Sequence, residues 1–196
     1  MALVIFDLDG TLFAGADATV PAVRGAFETL GLPVPPAGEI RALVGAPVNV
    51  YERWLAKNSD GRVTGEDLVR ETNRLELRFV RERAGLYPGV RRTLEMFESG
   101  GYALAVCTNG SDEYVDAVMA SHDLRRFFPE VRTAENTPEG KDVMVRETVR
   151  AVGAKRFAVV GDRRGDIAAA HANAGYGIAA RYGYGSPEEL AEADAF

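Results

Sequence analysis

A single cysteine in 196 residues rules out an internal disulfide and any cysteine-based metal cluster. Cys107 closes the run Tyr102-Ala-Leu-Ala-Val-Cys107, which reads as a core strand, so a buried and inert thiol is expected. Histidine is almost as scarce. His122 and His171 are far apart and lie in helix-like stretches, without the short spacing of a zinc pair, and a structural or exposed place is expected for both. No apolar run approaches membrane-spanning length. The opening Met-Ala-Leu-Val-Ile-Phe has no cationic leader and meets Asp7 too early for a signal peptide. A cytoplasmic, reduced protein is therefore expected. Positive charge is also in deficit: the formal net charge is −6, which argues against broad nucleic-acid or anionic-membrane binding. Small anions remain possible ligands, since they need only a few local donors.

What is present is ordinary globular chemistry, 46% hydrophobic and 27% charged, enough for one core domain with an insertion. The chain is organised around Leu3-Val-Ile-Phe-Asp7-Leu-Asp9-Gly10-Thr11. The apolar run is that of a strand buried on both faces. It ends in two carboxylates two residues apart, which an extended chain projects to one side, and Gly10 permits a sharp turn. Two adjacent carboxylates repel, and call for a cation or for one of them to stay protonated.

From about Ala14 to Gly85 the pattern is helical throughout. Val20, Val23, Phe27 and Leu30 recur at helical spacing, and Gly31 and Pro33 end that helix. A second pattern runs through Ile40, Leu43 and Val44, breaks at Gly45-Ala-Pro47, and resumes with Val48, Tyr51, Trp54 and Leu55. Asn58–Gly61 reads as a loop, and Leu68, Leu75 and Phe79 mark a third helix. After Leu86-Tyr-Pro-Gly-Val90 strands and helices alternate. A helix spans Val90–Ser99, a strand Tyr102–Cys107, and Ser111 caps the next helix. A short strand is expected over Val131–Ala134, a helix over Lys141–Val152, and a strand over Arg156–Val160. A helix over Ile167–Ala174 and a strand over Tyr176–Ala180 follow. Ser186-Pro-Glu-Glu189 carries a capping box with proline at the first helical position. Such alternation predicts an α/β fold with a mostly parallel sheet, whose ligands bind beyond the carboxyl ends of its strands.

Three predicted strands end in polar side chains: Asp7 and Asp9, Thr108 and Asn109, and Asp162. Asp162 and Asp166 are four apart and share a face if their helix starts early. With Asp7 and Asp9 they make four hard oxygen donors, which select Mg²⁺ over zinc or copper. The plainer reading of Asp162 and Asp166 is charge favoured at a helix N-terminus. Thr108 and Asn109 offer a hydroxyl and an amide to a phosphoryl oxygen, although Asn-Gly is also a common turn. Lys141 is one of three lysines, with Lys57 and Lys155, against 20 arginines; a compact point charge suits a phosphate. A carboxylate approaching a phosphate dianion meets two like-charge pairs of about 4 kcal/mol each, enough to slow the step by about six powers of ten. A divalent metal and a lysine remove that barrier.

These motifs resemble those of the haloacid-dehalogenase superfamily of phosphohydrolases, and within it the phosphoglycolate-phosphatase-like branch. Asp7-Leu-Asp9-Gly10-Thr11 is similar to its first motif, Thr108-Asn109-Gly110 to its second, Lys141 to its third and Gly161-Asp162-x-x-x-Asp166 to its fourth. Tyr87-Pro88-Gly89-Val90 and Tyr182-Gly-Tyr-Gly-Ser-Pro-Glu-Glu-Leu190 are also similar to family stretches. The resemblance implies a Rossmann-like core with a parallel five-stranded sheet, formed by residues 1–13 and 86–196, and an inserted all-helical cap at residues 14–85. It implies Asp7 as nucleophile, Asp9 as acid and then base, and Thr108, Asn109 and Lys141 on the phosphoryl group. Asp7, the Asp9 carbonyl and Asp162 would hold Mg²⁺, with Asp166 in support. Asp9 argues against halide chemistry, because family dehalogenases lack this second carboxylate. Arg163, Arg164 and Asp142 depart from the common pattern, and the end at Phe196 puts the sheet edge in question.

The expected activity is hydrolysis of a small phosphorylated metabolite: phosphoglycolate-like, nucleotide or sugar phosphate. A phosphomutase or a non-catalytic phosphometabolite-binding module are the alternatives. Phosphonate cleavage would require a cap lysine, for which Lys57 is the candidate. The turn at Gly45-Ala46-Pro47, with Arg41 or Arg53, is expected to face the non-phosphate end of the substrate. Oligomeric state leaves no mark in the sequence.

Overall fold

The computed structural model describes residues 2–59, 61 and 63–196; Asp60, in the expected loop at Asn58–Gly61, lies outside them. Five strands, β1 (Ala2–Phe6), β2 (Ala103–Cys107), β3 (Glu130–Arg132), β4 (Arg156–Gly161) and β5 (Tyr176–Ala179), form one sheet in the order β3-β2-β1-β4-β5. Every pairing is parallel, with Leu3 opposite Ala103 on one side of β1 and Phe157 on the other. The strands step outward from β1 to β3 and return to β4, so the order reverses between β1 and β4. In open parallel sheets that crevice is where ligands bind.

Pleating explains the composition of β1. Val4 and Phe6 enter one apolar cluster with Leu104 and Val106, while Leu3 and Ile5 enter another with Ala105, Cys107, Met144 and Val159. Both faces are covered, so the strand needs an unbroken apolar run. Cys107 is buried within the second cluster beside the Thr148 hydroxyl, and burial pushes its thiol up to about 12.

Between β1 and β2 lie five helices: α1 (Ala16–Thr29), α2 (Ala37–Leu43), α3 (Val48–Asn58), α4 (Gly65–Glu82) and α5 (Val90–Ser99). Among the described residues, 14–85 contain no strand. The first four form a layer in which Phe27, Leu55 and Leu68 are wholly buried and continuous with the sheet-face cluster. The insert's two ends run side by side: Ala14 N–H donates to Gly85 (2.9 Å) and Tyr87 N–H to Leu12 (3.0 Å). The remaining helices are α6 (Asp112–Ser121), α7 (Lys141–Val152) and α8 (Arg164–Ala172). Ser111 caps α6 by accepting from Tyr114 N–H.

The structure corrects two expectations. The Ser186 hydroxyl does accept from Glu189 N–H (3.3 Å), but turns and no helix follow; the segment instead curls past the site and runs along β5. The helix after β4 starts at Arg164, so Asp162 precedes it and shares no helical face with Asp166. The β5 edge is occupied by residues 194–195, with Ala179 N–H donating to Ala195 and Asp194 N–H to Gly177, 2.8 Å each, which shields an otherwise exposed ladder. No helix among the described residues is long and apolar enough to cross a membrane.

Phe128 sits edge-on to Phe6 at 6.2 Å and is 1% exposed. Phe128→Ala is expected to cost about 3–5 kcal/mol through lost transfer energy and the cavity left behind, read as a lower urea midpoint with an unchanged slope.

Candidate active site

Asp7 is the first residue beyond β1, and its N–H still donates to Val160 of β4 (2.8 Å). Asp162 follows β4 directly. Parallel pairing of β1 with β4 therefore sets the two carboxylates at the reversal point of the sheet. Asp166 comes from the first turn of α8, where its Oδ2 accepts from Arg163 N–H (2.9 Å). Oxygen atoms of Asp7, Asp162 and Asp166 lie within 4.8 Å of one another, and all three residues are buried.

Lys141 enters from α7 and bridges the group. Its Nζ donates to Asp7 Oδ1 (2.6 Å) and to Asp166 Oδ1 (2.5 Å). As the first residue of α7 it stands where the helix dipole disfavours a cation, so the carboxylates hold it there. Burial alone would lower its pKa, but Asp166 and Asp7 raise it above the ordinary lysine value. Burial, reinforced by Asp166 and Asp162, lifts Asp7 well above the usual carboxylate range despite Lys141. Burial likewise lifts Asp162 to about 6 against the Tyr184 N–H, which donates to its Oδ2 at 2.6 Å.

Three carboxylates against one ammonium leave an excess of negative charge in a buried place, which a divalent cation would balance. Asp162 Oδ1 is buried and accepts no hydrogen bond among the described residues. An orphaned buried oxygen is expensive, and this one belongs to a member of the acid cluster. The donors are all hard oxygens, so the set fits Mg²⁺. Asp162 and Asp7 have oxygens to offer, whereas both oxygens of Asp166 are already engaged. The packing is tight: a Cβ on Gly10, whose φ is +82°, would lie 2.2 Å from Asp162 Oδ2, so only glycine fits that turn.

Asp9 stands outside this triad. Its Oδ1 accepts from the Tyr114 hydroxyl (2.5 Å) and lies against Gly15, where a Cβ would come within 1.9 Å. Burial raises Asp9 to about 7 even with that hydrogen bond favouring the charged form. Two carboxylates two residues apart thus occupy different environments, one among cation and acids, the other under the helical insert.

Thr108 and Asn109 end β2 beside Asp7. Thr108 is buried, its hydroxyl accepting from Gly110 N–H (3.2 Å), and Asn109 Nδ2 donates to the Gly45 carbonyl of the helical insert (3.0 Å). Arg163 makes a second tie across that gap: its guanidinium donates to Ala42 (2.5 Å) and Val44 (3.2 Å) and pairs with Glu189 (3.1 Å). Arg164 is exposed. A cleft of about 870 Å³ lies over Lys141, Asp166, Asn109 and the Gly45–Val48 turn. A smaller cavity of about 150 Å³ adjoins it, lined by Asp9, Tyr114, Thr19, Tyr51, Asn73 and Glu76 among others.

The Gly45-Ala46-Pro47 turn does face the site, but the two arginines considered with it line neither cavity. Arg41 stacks on the Tyr184 ring at 5.0 Å, and Arg53 is exposed with its Nε on the Asn49 carbonyl. Tyr114 and Glu76 carry no sequence signal for the site, and Tyr51 reads there only as part of a helical pattern. Tyr114 is the third residue after the Ser111 cap, and nothing in its spacing points across to Asp9. Glu76 is half-buried on α4, takes a hydrogen bond from Thr19 (2.5 Å), and is raised to about 7 by loss of hydration.

Comparison with known proteins agrees with this geometry. The family model described as haloacid dehalogenase-like hydrolase matches residues 4–180. The chain is 31% identical to a phosphoglycolate phosphatase of Pseudomonas savastanoi pv. phaseolicola, over 97% of this chain and 73% of that one. It is 30% identical to that of Vibrio cholerae, over 98% and 89%. A crystal structure of a predicted phosphoglycolate phosphatase from Haemophilus somnus 129pt superposes with a TM-score of 0.86 at 24% identity, covering 97% of this chain and 90% of that one.

Three outcomes are expected. Mg²⁺ raises the melting temperature, by an amount equivalent to about 2.7 kcal/mol at a hundredfold excess over Kd. Asp162→Asn, monitored by the same thermal melts, loses that response while its metal-free form is no less stable, since one repelling charge is gone. Glu76 keeps its proton to about 7 when folded but only to 4.5 when unfolded. Its contribution to stability therefore falls as pH rises between those values. Urea midpoints at about pH 5 and about pH 8 are expected to differ less in Glu76→Gln than in the parent.

Proposed function

The chain belongs to the haloacid dehalogenase-like hydrolases, and from that premise we propose that it is a Mg²⁺-dependent phosphatase. It hydrolyses a small phosphate monoester through an aspartyl-phosphate on Asp7. The observation that carries this reading is the Lys141 ammonium held between the buried Asp7 and Asp166 at the reversal point of the sheet.

Lys141, with the Thr108 hydroxyl and the Asn109 amide, grips the phosphoryl oxygens. A carboxylate oxygen of Asp7 attacks phosphorus, and the bond to the alcohol oxygen breaks. Asp9, raised to about 7 by burial, gives its proton to the departing alkoxide. It then takes a proton from the water that attacks the aspartyl-phosphate, which releases phosphate and restores Asp7. The Tyr114 hydroxyl orients the Asp9 carboxyl for both transfers. Mg²⁺, held by Asp7, Asp162 and the Asp9 carbonyl with Asp166 in support, would supply the positive charge that offsets repulsion between Asp7 and the phosphate.

Residues 14–85 act as the cap in this reading, and residues 1–13 and 86–196 as the catalytic core. The paired strands of chain at 12–14 and 85–87 are suited to carry motion between them. The contacts of Arg163 and Asn109 with the cap carbonyls favour a closed arrangement in which water is excluded. A cytoplasmic setting suits the buried free thiol. The ester belongs to the phosphoglycolate-like, nucleotide or sugar phosphate classes; the names of the relatives speak for the first of these.

The test is turnover of p-nitrophenyl phosphate and a panel of metabolite monoesters by the purified chain. Activity is expected with Mg²⁺ and to vanish with EDTA. Asp7→Asn is expected to lower kcat by at least about a thousandfold with an unchanged circular dichroism spectrum. An Asp7→Asn variant that retains turnover would remove the nucleophile from this account.

A further inference from the structure

With Asp9 protonating the departing alkoxide, the alcohol sits in the small cavity that Asp9 lines. The acids on its wall are Asp9, Glu52, Glu76 and Glu135, and among the described residues no lysine, arginine or histidine lines it. The nearby cations are engaged elsewhere. Lys141 binds Asp7 and Asp166, and Arg163 binds Glu189 and the carbonyls of Ala42 and Val44. Arg41 lies over Tyr184, outside the cavity.

A second feature points to a ligand. The Tyr51 hydroxyl is buried and has no hydrogen-bond partner among the described residues, and Tyr51 lines the same cavity as Glu76 and Asn73. A buried hydroxyl without a partner is uncommon, and a bound hydroxyl group would satisfy it. Charged or neutral, Glu76 offers an acceptor and no positive charge, so it suits the O–H groups of a neutral alcohol. A carboxylate placed there would face acids without a counter-charge. Size narrows the choice further. At about 150 Å³ against about 870 Å³ for the adjoining cleft, the cavity beside Asp9 is the smaller space, which suits a short polyol.

We propose that this cavity selects the phosphate monoester of a short neutral polyol or sugar and discriminates against esters whose alcohol carries a carboxylate, phosphoglycolate among them. Glu76 and Tyr51 are its specificity-determining residues, taking and giving hydrogen bonds to the hydroxyls of the alcohol. The inference rests on the phosphatase reading above and narrows its substrate class.

The experiment compares kcat/KM of the Mg²⁺-loaded full chain for glycerol phosphate, erythrose 4-phosphate and phosphoglycolate, with p-nitrophenyl phosphate as the reference ester. At least one polyol or sugar ester is expected to exceed phosphoglycolate by tenfold or more. Glu76→Gln and Tyr51→Phe are each expected to shrink that ratio, chiefly through KM for the polyol ester. Two variants are used so that misfolding of one leaves the comparison intact. Equal or better use of phosphoglycolate, with p-nitrophenyl phosphate turned over, would overturn the proposed selectivity and spare the phosphatase reading. So would a ratio unmoved by both variants. No turnover of any ester by folded, Mg²⁺-loaded protein would overturn both.

Discussion

One lysine among three buried acids is the constraint on which the rest of the site depends. Asp7, Asp162 and Asp166 are each buried, and like charges brought so close repel one another and resist the folded state. Lys141 relieves part of that cost through two short hydrogen bonds, and the Tyr184 N–H relieves another part at Asp162. The remainder is left in place, visible as an Asp162 oxygen with no donor among the described residues. A protein selected only for stability has little reason to keep such a group. A place prepared for a cation and an incoming anion has every reason, because the protein dipoles are then set before the ligand arrives.

The same constraint shapes the local chain. Gly10 is glycine because the turn is left-handed and the Asp162 carboxylate fills the space where a side chain would go. Asp166 serves twice, capping α8 through Arg163 N–H and holding Lys141 through its other oxygen. Asp9 escapes the cluster altogether. Its partner is a tyrosine hydroxyl and its neighbours belong to the helical insert. One strand thereby delivers two carboxylates into unlike surroundings, the arrangement by which environment assigns unlike tasks to like groups.

The helical insert contributes more than cover. Its α2–α3 turn takes hydrogen bonds from Asn109 and Arg163 at the ends of two different sheet strands. Its α3 and α4 supply Tyr51 and Glu76 to the cavity wall. The acids at the sheet and the wall supplied by the insert thus meet along a single seam, and no lysine, arginine or histidine lines the described part of that cavity.

Much of this was legible in the residue order. The alternating pattern after Leu86, the unbroken apolar run of β1 and the helical spacing before Gly85 report local periodicities, and local periodicity follows from which faces are buried. The polar strand ends at Asp7, Thr108 and Asp162 were legible for the same reason, since parallel sheets present those ends together. Other features were not. The Ser186 capping box reads as a helix start, yet the segment is drawn instead to Asp162 and the β5 edge, a long-range contact that outweighs local propensity. Tyr114 lies 105 residues from Asp9 in the chain, and no spacing rule connects them. The sequence by itself determined the strand and helix order and the chemical type of the donors, because both are properties of neighbouring residues. Which acids lie together, which one stands apart, and what lines the cavity beside it were settled only by the packed chain, because those depend on distances between segments far apart in the residue order.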